Sequence, residues 1–568
     1  MSYLAKYNEW INNDNLIPEL KEELLAIKGD ENEIKERFGA ELAFGTAGLR
    51  GVISAGTNRM NVYVVRRATK ALALYIKESG VSNPSVVIGY DSRHKSDVFA
   101  KEAAETLTRY GIKVYLFEEL KPVPEVSFAV RYLHCTAGIM VTASHNPSKY
   151  NGYKVYGDDG CQIGPETADA IVEKITSMSL FEEFDTPVNS ELITYIGEDI
   201  ENEFLKEVLK QQINTEATKK AGETFKIIYT PFHGTGYKPV MKAFSAIGLK
   251  NVYEVTEQCT PDGDFPTVKS PNPEDKEGFA IGIEMAKKLD VDLILGTDPD
   301  CDRVGVVVKN SEGEYISFTG NQIGALLCEY ILSQRTANKT LAANPFVVKT
   351  IVTTDIIRSI AANYDVTMFE CLTGFKFIGE LIKEHQENGN MHYVFGFEES
   401  YGYLAGIHAR DKDGVVASML IAEMAAFYSL QGKTLYDALC DMYNKYGWYK
   451  EGVYNIVREG LDGVEQIKKS MEDVRCNPPK TLAGKNVVAL RDYKKKTRFD
   501  FVSGKEEKLE LPESNVLYFE IEGGMWGVLR PSGTEPKLKL YVGAKADTKI
   551  ESEEMSEKII TDLKALVM

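Results

Sequence analysis

Short apolar runs rich in β-branched residues alternate along most of the chain with polar loops and segments of helical spacing. SVVIGY runs into DSRHKS, AGIMVT into ASHNP, FKIIYT into PFHGTG, VDLILG into TDPDCDR, and FVVKTIV into TTD. Runs of this kind suit strands buried on both faces, and the intervening SDVFAKEAAETLTRYG and KEGFAIGIEMAKKL carry apolar residues at helical spacing and end near glycine or a turn. The alternation predicts mainly parallel sheets covered by helices. Three openings, VVIGYDSR, IIYTPFHGTG and VVKTIVTTD, recur about 120 to 140 residues apart, the size of one domain, and read as first strands of three related α/β domains. After Trp448 the rhythm changes: YNIVREG, KNVVALRDYKK, NVLYFEIEGGMWGVLRP and KLKLYVGA read as short strands and SEEMSEKIITDLKAL as a closing helix, an α+β domain. At the other end, IPELKEELLAIKG places Leu20, Leu24 and Leu25 on a helix that reads as a docking segment.

With 568 residues the chain exceeds one hydrophobic core. The expected division is 1–204, 205–320, 321–446 and 447–568. The formal charge of −18 disfavours nucleic-acid and anionic-membrane partners, so an anionic ligand needs a local basic pocket. Eight scattered cysteines without CxxC read as free thiols of a reducing cytoplasm. No signal-peptide pattern and no run of eighteen apolar residues is present, and a cytoplasmic protein is expected.

Four polar stretches carry candidate chemistry. In TDPDCDR, Asp298, Asp300 and Asp302 follow an apolar strand; crowded carboxylates need a cation, and oxygen ligands suit Mg²⁺ or Mn²⁺ better than zinc. A solvated acidic turn is the plain alternative. In RPSGTEPKLKLY, Arg530, Ser532, Gly533, Thr534 and Lys537 form a cup for a dianionic phosphate, although a bare turn has the same composition. In GFEESYGYLAGIHARDKDG, Glu398, Glu399 and Ser400 can accept from sugar hydroxyls while Arg410 and Lys412 can meet phosphate. In TASHNPSKYNGYK, Ser144 lies on a tight turn before His145, Asn146 and Pro147. GxxxxGK[ST], GxSxG and HxxxH are all absent, against a P-loop nucleotidase, an α/β-hydrolase and a zinc hydrolase of those kinds.

Together and in this order, the four motifs closely resemble the α-D-phosphohexomutase superfamily, in its phosphoglucomutase branch with a long N-terminal segment. The resemblance runs from FGTAGLRG at Phe44 to KLKLYVGA near Ala544. It implies three α/β domains and a smaller α+β domain around a central cleft. It implies that Ser144 carries the transferable phosphoryl group, that Asp298, Asp300 and Asp302 hold Mg²⁺ with an oxygen of phospho-Ser144, and that Arg303 lies beside the transferring group. Thr373, Gly374, Glu398 and Ser400 would read sugar hydroxyls, Arg530, Ser532, Gly533 and Thr534 would grip the other phosphate, and Arg50 matches the first-domain arginine. Lys154 holds the family's position for the general base, with His145 the competing candidate.

The chain departs from the family pattern in places. Tyr401, Gly402 and Tyr403 stand where some members have a histidine, leaving the basic role to Lys412, and Lys539 replaces an arginine of the phosphate loop. The implied reaction converts glucose 1-phosphate to glucose 6-phosphate through glucose 1,6-bisphosphate, with the fourth domain closing about a hinge near Trp448. A phosphopentomutase is the nearest alternative, followed by a phosphomannomutase, a metal-dependent sugar phosphatase and a silent sugar-phosphate sensor. Monomer and homodimer are both open.

Overall fold

In a computed structural model, which describes residues 2–45, 48–182, 184–458, 460–532 and 537–568, the apolar runs form the centres of their sheets. The chain divides into two compact units, Met1–Phe318 with Gly379–Asn388 and Tyr401–Thr434, and Thr319–Ile378 with Gly389–Ser400 and Leu435–Met568.

In the first unit, Ser85–Tyr90 lies between Lys113–Phe117 and Ala137–Val141, parallel to both, and Ile193–Ile196 adds a further parallel strand. Tyr150–Gly157 and Gly48–Val52 extend this six-stranded sheet antiparallel. A second sheet of five strands centres on Lys226–Thr230 and Leu293–Thr297, parallel to each other, with Val304–Lys309 and Tyr315–Phe318 running antiparallel at one side. The central strands are buried along nearly their whole length, as expected where helices cover both faces.

Several helices start where a capping side chain accepts from first-turn amides. Asn61 caps Val62–Glu78, and Asp413 caps Gly414–Ser429 by accepting from Val415 and Val416. The N-terminal helices Tyr3–Ile11, Pro18–Ala26 and Glu31–Phe38 pack Trp10, Leu24, Ile34 and Phe38 into the core of the six-stranded sheet. Docking is thus their role. Leu25, expected on the packed face, is instead 52% exposed, because Leu24 and Leu20 already define the buried stripe of a helix of nine residues.

In the second unit, Pro345–Thr350 runs parallel to Thr367–Cys371 and to His392–Glu398. Past Trp448 the strands are antiparallel, in the order Trp448–Val457, Lys537–Ala546, Met525–Pro531, Leu517–Ile521, Lys485–Asp492, Thr497–Asp500 and Glu506–Lys508. Helix Lys549–Val567, capped by Thr548, contributes Ile559, Leu563 and Val567 to the core of this sheet. The change of rhythm in the sequence is therefore a change from parallel to antiparallel architecture. Among the described residues, no helix is long and apolar enough to cross a membrane.

Candidate active site

Three loops leave the carboxyl ends of parallel strands in the first unit and meet, the position where open α/β sheets build their sites. Asp91 follows Tyr90 directly, Ser144 comes three residues after Val141, and Asp298 follows Thr297.

Ser144 is buried and has φ +53°, a left-handed conformation that costs a non-glycine residue energy and persists where surroundings over-determine it. Its N–H donates to Thr142 Oγ1 at 2.8 Å, and its hydroxyl lies 3.0 Å from Asp298 Oδ2 and 3.1 Å from His145 Nδ1. Thr142 Oγ1 has one proton for two carboxylates, Asp91 Oδ2 at 2.6 Å and Asp300 Oδ2 at 3.2 Å.

Asp298, Asp300 and Asp302 are buried, with one carboxylate oxygen of each within 4.8 Å of the others. Asp298 Oδ1 accepts the N–H groups of Asp302 and Arg303. Asp300 Oδ1 and Asp302 Oδ1 have no hydrogen-bond partner among the described residues. Burial, then the charges of Asp300 and Asp302, push the Asp298 carboxyl well above its ordinary value. Buried carboxylates crowded in this way, with oxygens left over, fit a hard divalent cation. Cys301 lies between two of these acids, but burial pushes its thiol well up, so it offers no thiolate.

The aspartate loop is fixed by close backbone approach. Thr235 N–H and Gly414 N–H donate to the carbonyls of Pro299 and Cys301 at 2.8 and 3.0 Å. A Cβ on Gly234 would stand 2.4 Å from Pro299 Cα, and one on Gly414 2.5 Å from the Cys301 carbonyl oxygen.

Two lysines face the aspartates. Lys154 Nζ is 2.9 Å from Asp300 Oδ2 and 3.4 Å from Asp302 Oδ2, while Lys412 Nζ is 3.2 Å from Asp302 Oδ2 and 2.9 Å from Asp411 Oδ1. Burial works against the Lys154 charge, yet Asp300 and Asp302 outweigh it and raise its pKa. Burial also opposes the Asp302 charge, and Lys412 and Lys154 overcome it, holding that carboxyl well below the usual range. Burial, reinforced by Arg303 and Arg50, depresses His145 well below its ordinary value, leaving a neutral imidazole beside Ser144. Arg50 donates to Asn146 Oδ1 at 3.3 Å, and Arg303 pairs with Glu274 at 3.0 Å.

The second unit holds the remaining candidates. Glu398 Oε1 accepts from Gly374 N–H at 2.8 Å, with Gly374 at φ +127°, and the buried Thr373 hydroxyl has no partner among the described residues. Glu399 Oε2 lies 3.3 Å from Thr350 Oγ1 and 3.4 Å from Thr353 Oγ1, and Ser400 follows on the same turn. Arg530 is 3.5 Å from the Tyr541 hydroxyl and stands opposite Lys539 across the strand pair, and Ser532 N–H donates to the Lys537 carbonyl. Gly533 and Thr534 lie outside the described residues.

The first unit therefore gathers Ser144, His145, Lys154, Arg50, the three aspartates, Arg303 and Lys412. Sequence reasoning passed over Asp91 and Arg93, both nearly inaccessible and both bonded to the serine loop. Their signal was the same as that of the aspartate loop, a charged cluster (DSR) directly after a buried strand.

A buried serine beside three aspartates that could hold a cation, with lysine and arginine close by, suits phosphoryl transfer, and the relatives make the class an isomerase that moves a phosphoryl group within its substrate. The sequence matches four consecutive descriptions: Phosphoglucomutase/phosphomannomutase, alpha/beta/alpha domains I (41–181), II (202–313) and III (319–446), and C-terminal domain (474–558). It is 39% identical over 518 residues to a phosphoglucomutase of Staphylococcus haemolyticus, covering 90% of this chain and 92% of that one. It is 36% identical over 541 residues to a phosphoglucomutase of Staphylococcus aureus, covering 94% and 95%. The fold resembles that of a phosphoglucomutase/phosphomannomutase family protein of Burkholderia thailandensis (TM-score 0.66, 19% identity, 93% of this chain and 98% of that one). It also resembles Paramecium parafusin in its open form (TM-score 0.68, 16% identity, 93% and 94%). The chain belongs to the phosphoglucomutase/phosphomannomutase family.

Proposed function

We propose that this chain is a phosphoglucomutase that interconverts glucose 1-phosphate and glucose 6-phosphate through phospho-Ser144. The Ser144 hydroxyl, 3.0 Å from Asp298 within a buried carboxylate triad, carries this reading. The names of the Staphylococcus relatives favour glucose over a pentose or mannose.

Asp298, Asp300 and Asp302 would hold Mg²⁺, since the donors are all oxygen and two of them lack partners. When bound, the ion supplies charge neutralisation at the phosphoryl oxygens.

In the forward half-reaction, the sugar O6 hydroxyl attacks the phosphoryl group on Ser144. The P–O6 bond forms as the P–Oγ bond breaks, the hydroxyl proton passes to a base, and the departing Ser144 Oγ takes up a proton to leave a neutral serine. Lys154 is the preferred base and neutral His145 the competitor. Lys154 can accept that proton only where Asp300 and Asp302 are neutralised from elsewhere, because their charges now hold it protonated. In the return half-reaction, glucose 1,6-bisphosphate presents its other end: Ser144 Oγ loses its proton, takes the phosphoryl group from O1, and O1 is reprotonated. Arg303 and Arg50 supply positive charge beside the serine. Glu398 and Ser400 would accept from sugar hydroxyls, with Thr373 and Gly374 shaping the loop, and Arg530, Ser532, Gly533 and Thr534 would grip the phosphate that stays; Lys412, held beside Asp302, would meet phosphate in the first unit.

A mutase assay on glucose 1-phosphate, mannose 1-phosphate and ribose 1-phosphate, with Mg²⁺ and a trace of the matching bisphosphate, tests the reading. Conversion fastest on glucose 1-phosphate and lost in Ser144→Ala is expected. Preference for ribose 1-phosphate, stoichiometric release of inorganic phosphate, or full activity of Ser144→Ala would overturn it.

A further inference from the structure

Arg93 is buried, 3% exposed, and gathers four carbonyl oxygens of one loop. One terminal nitrogen donates to Pro147 O at 2.9 Å and Tyr150 O at 3.1 Å; the other donates to Ser144 O at 2.5 Å and to Asn146 O. Its guanidinium lies over the Phe265 ring and 3.4 Å from Asp91, whose carboxylate accepts from Ser96 and Thr142 hydroxyls and from Arg93 N–H. The arginine is therefore fixed before it fixes the loop.

A trans peptide is planar, so a carbonyl aimed one way sends the next N–H the other. With the Ser144 and Pro147 carbonyls turned onto Arg93, the N–H groups of His145 and Ser148 face away from it. Neither donates to a described residue, whereas Ser144 N–H is already held by Thr142. Asn146 precedes Pro147, which has no N–H to offer.

We infer that Arg93 is a positioning residue for phosphoryl transfer: it turns the carbonyls of the serine loop inward and leaves the His145 and Ser148 N–H groups as donors to the phosphoryl group on Ser144. This rests on the phosphoserine reading above. The guanidinium is occupied by backbone carbonyls and Asp91, so Arg93 acts through the loop and not on the substrate. Its substitution frees carbonyl oxygens to turn toward a dianion, so the loss falls on transfer more than on sugar binding.

The test compares wild type, Arg93→Lys, and Arg475→Lys as a control, the latter a buried arginine paired with Asp492 and remote in sequence from every loop of the site. Each is charged with glucose 1,6-bisphosphate. Ser144 phosphorylation is read by intact mass, transfer to glucose 1-phosphate in a single turnover, KM at steady state, and melting by calorimetry. A lysine cannot hold four carbonyls in a planar fork. Arg93→Lys should slow the single turnover roughly 100-fold, the scale of a lost oxyanion donor, with KM changed less than about threefold. Arg475→Lys should lower melting and leave the turnover unchanged. A phosphorylated Arg93→Lys with the wild-type transfer rate, or with losses that only track its melting as in the control, overturns the clamp alone. Wild type that takes no phosphoryl group on Ser144 overturns the mutase reading and the clamp with it.

Discussion

Lys154 Nζ lies 2.9 Å from Asp300 Oδ2, so the proposed general base is also the counter-ion of a proposed metal ligand. Lys154→Met should lower kcat by roughly 100-fold or more, the range of a lost general base, with glucose 1-phosphate KM little changed. His145→Gln should cost much less. Steady-state kinetics of the two variants decide the assignment, and a larger loss in His145→Gln would transfer the proton role to the imidazole.

The orphaned oxygens of Asp300 and Asp302 make a second prediction about the cation. Dialysis against a chelator should abolish turnover and Mg²⁺ should restore it. Asp298→Asn should weaken Mg²⁺ binding at least about tenfold by titration calorimetry, since it removes a charged ligand, while calcium fills the site without equivalent turnover. Unchanged Mg²⁺ affinity in Asp298→Asn would remove this residue from the ligand set.

Much of this was legible in the sequence, for an identifiable reason. Strands such as SVVIGY and VDLILG are buried on both faces and therefore apolar throughout, so the loops at their carboxyl ends stand out as the polar punctuation where sites form. Other features have at most a local signature of place and none of role. Nothing in DSR separates an arginine that clamps four carbonyls from one that waves in solvent, because the carbonyls it holds lie more than fifty positions away. Leu24 and Leu25 differ only by 100° of helix, and the side chosen depends on the core they meet. Strand order is likewise a tertiary fact: Gly48–Val52 pairs with Tyr150–Gly157, about a hundred residues on, because the two strands close the same sheet edge.

Gly402 marks where Lys412 passes. A Cβ there would stand 2.1 Å from Lys412 Cδ and 2.7 Å from its Cγ, and Gly402 also bridges to Arg303. Gly402→Ala should push the lysine off Asp302 and lower kcat/KM roughly tenfold or more, within the cost of misplacing a site group by about 1 Å. Melting should move little, because a flexible side chain can yield. Kinetics beside calorimetry check it, and wild-type kcat/KM would show that Lys412 acts equally well from elsewhere.

Glu125 is wholly buried in the helix Val123–Tyr132, and its carboxylate oxygens have no hydrogen-bond partner among the described residues. Its nearest cation, Lys121, is 3.8 Å away and already bonded to Glu201, which also holds Lys242. Burial thus wins over the attraction of Lys121 and raises the Glu125 carboxyl to about 8. The folded chain then binds more protons than the unfolded one between the ordinary carboxylate range and about 8, so stability must fall as pH rises through that window. The protonated, stable form is complete below it. Glu125→Gln keeps the shape and removes the titration. Its melting temperature should fall less than that of wild type between pH 6 and pH 9, with the variant gaining on wild type by roughly 1–3 kcal/mol of stability at the alkaline end. Calorimetry across that range measures it, and parallel profiles for the two proteins would mean that Glu125 is ionised throughout, with Lys121 compensating its burial.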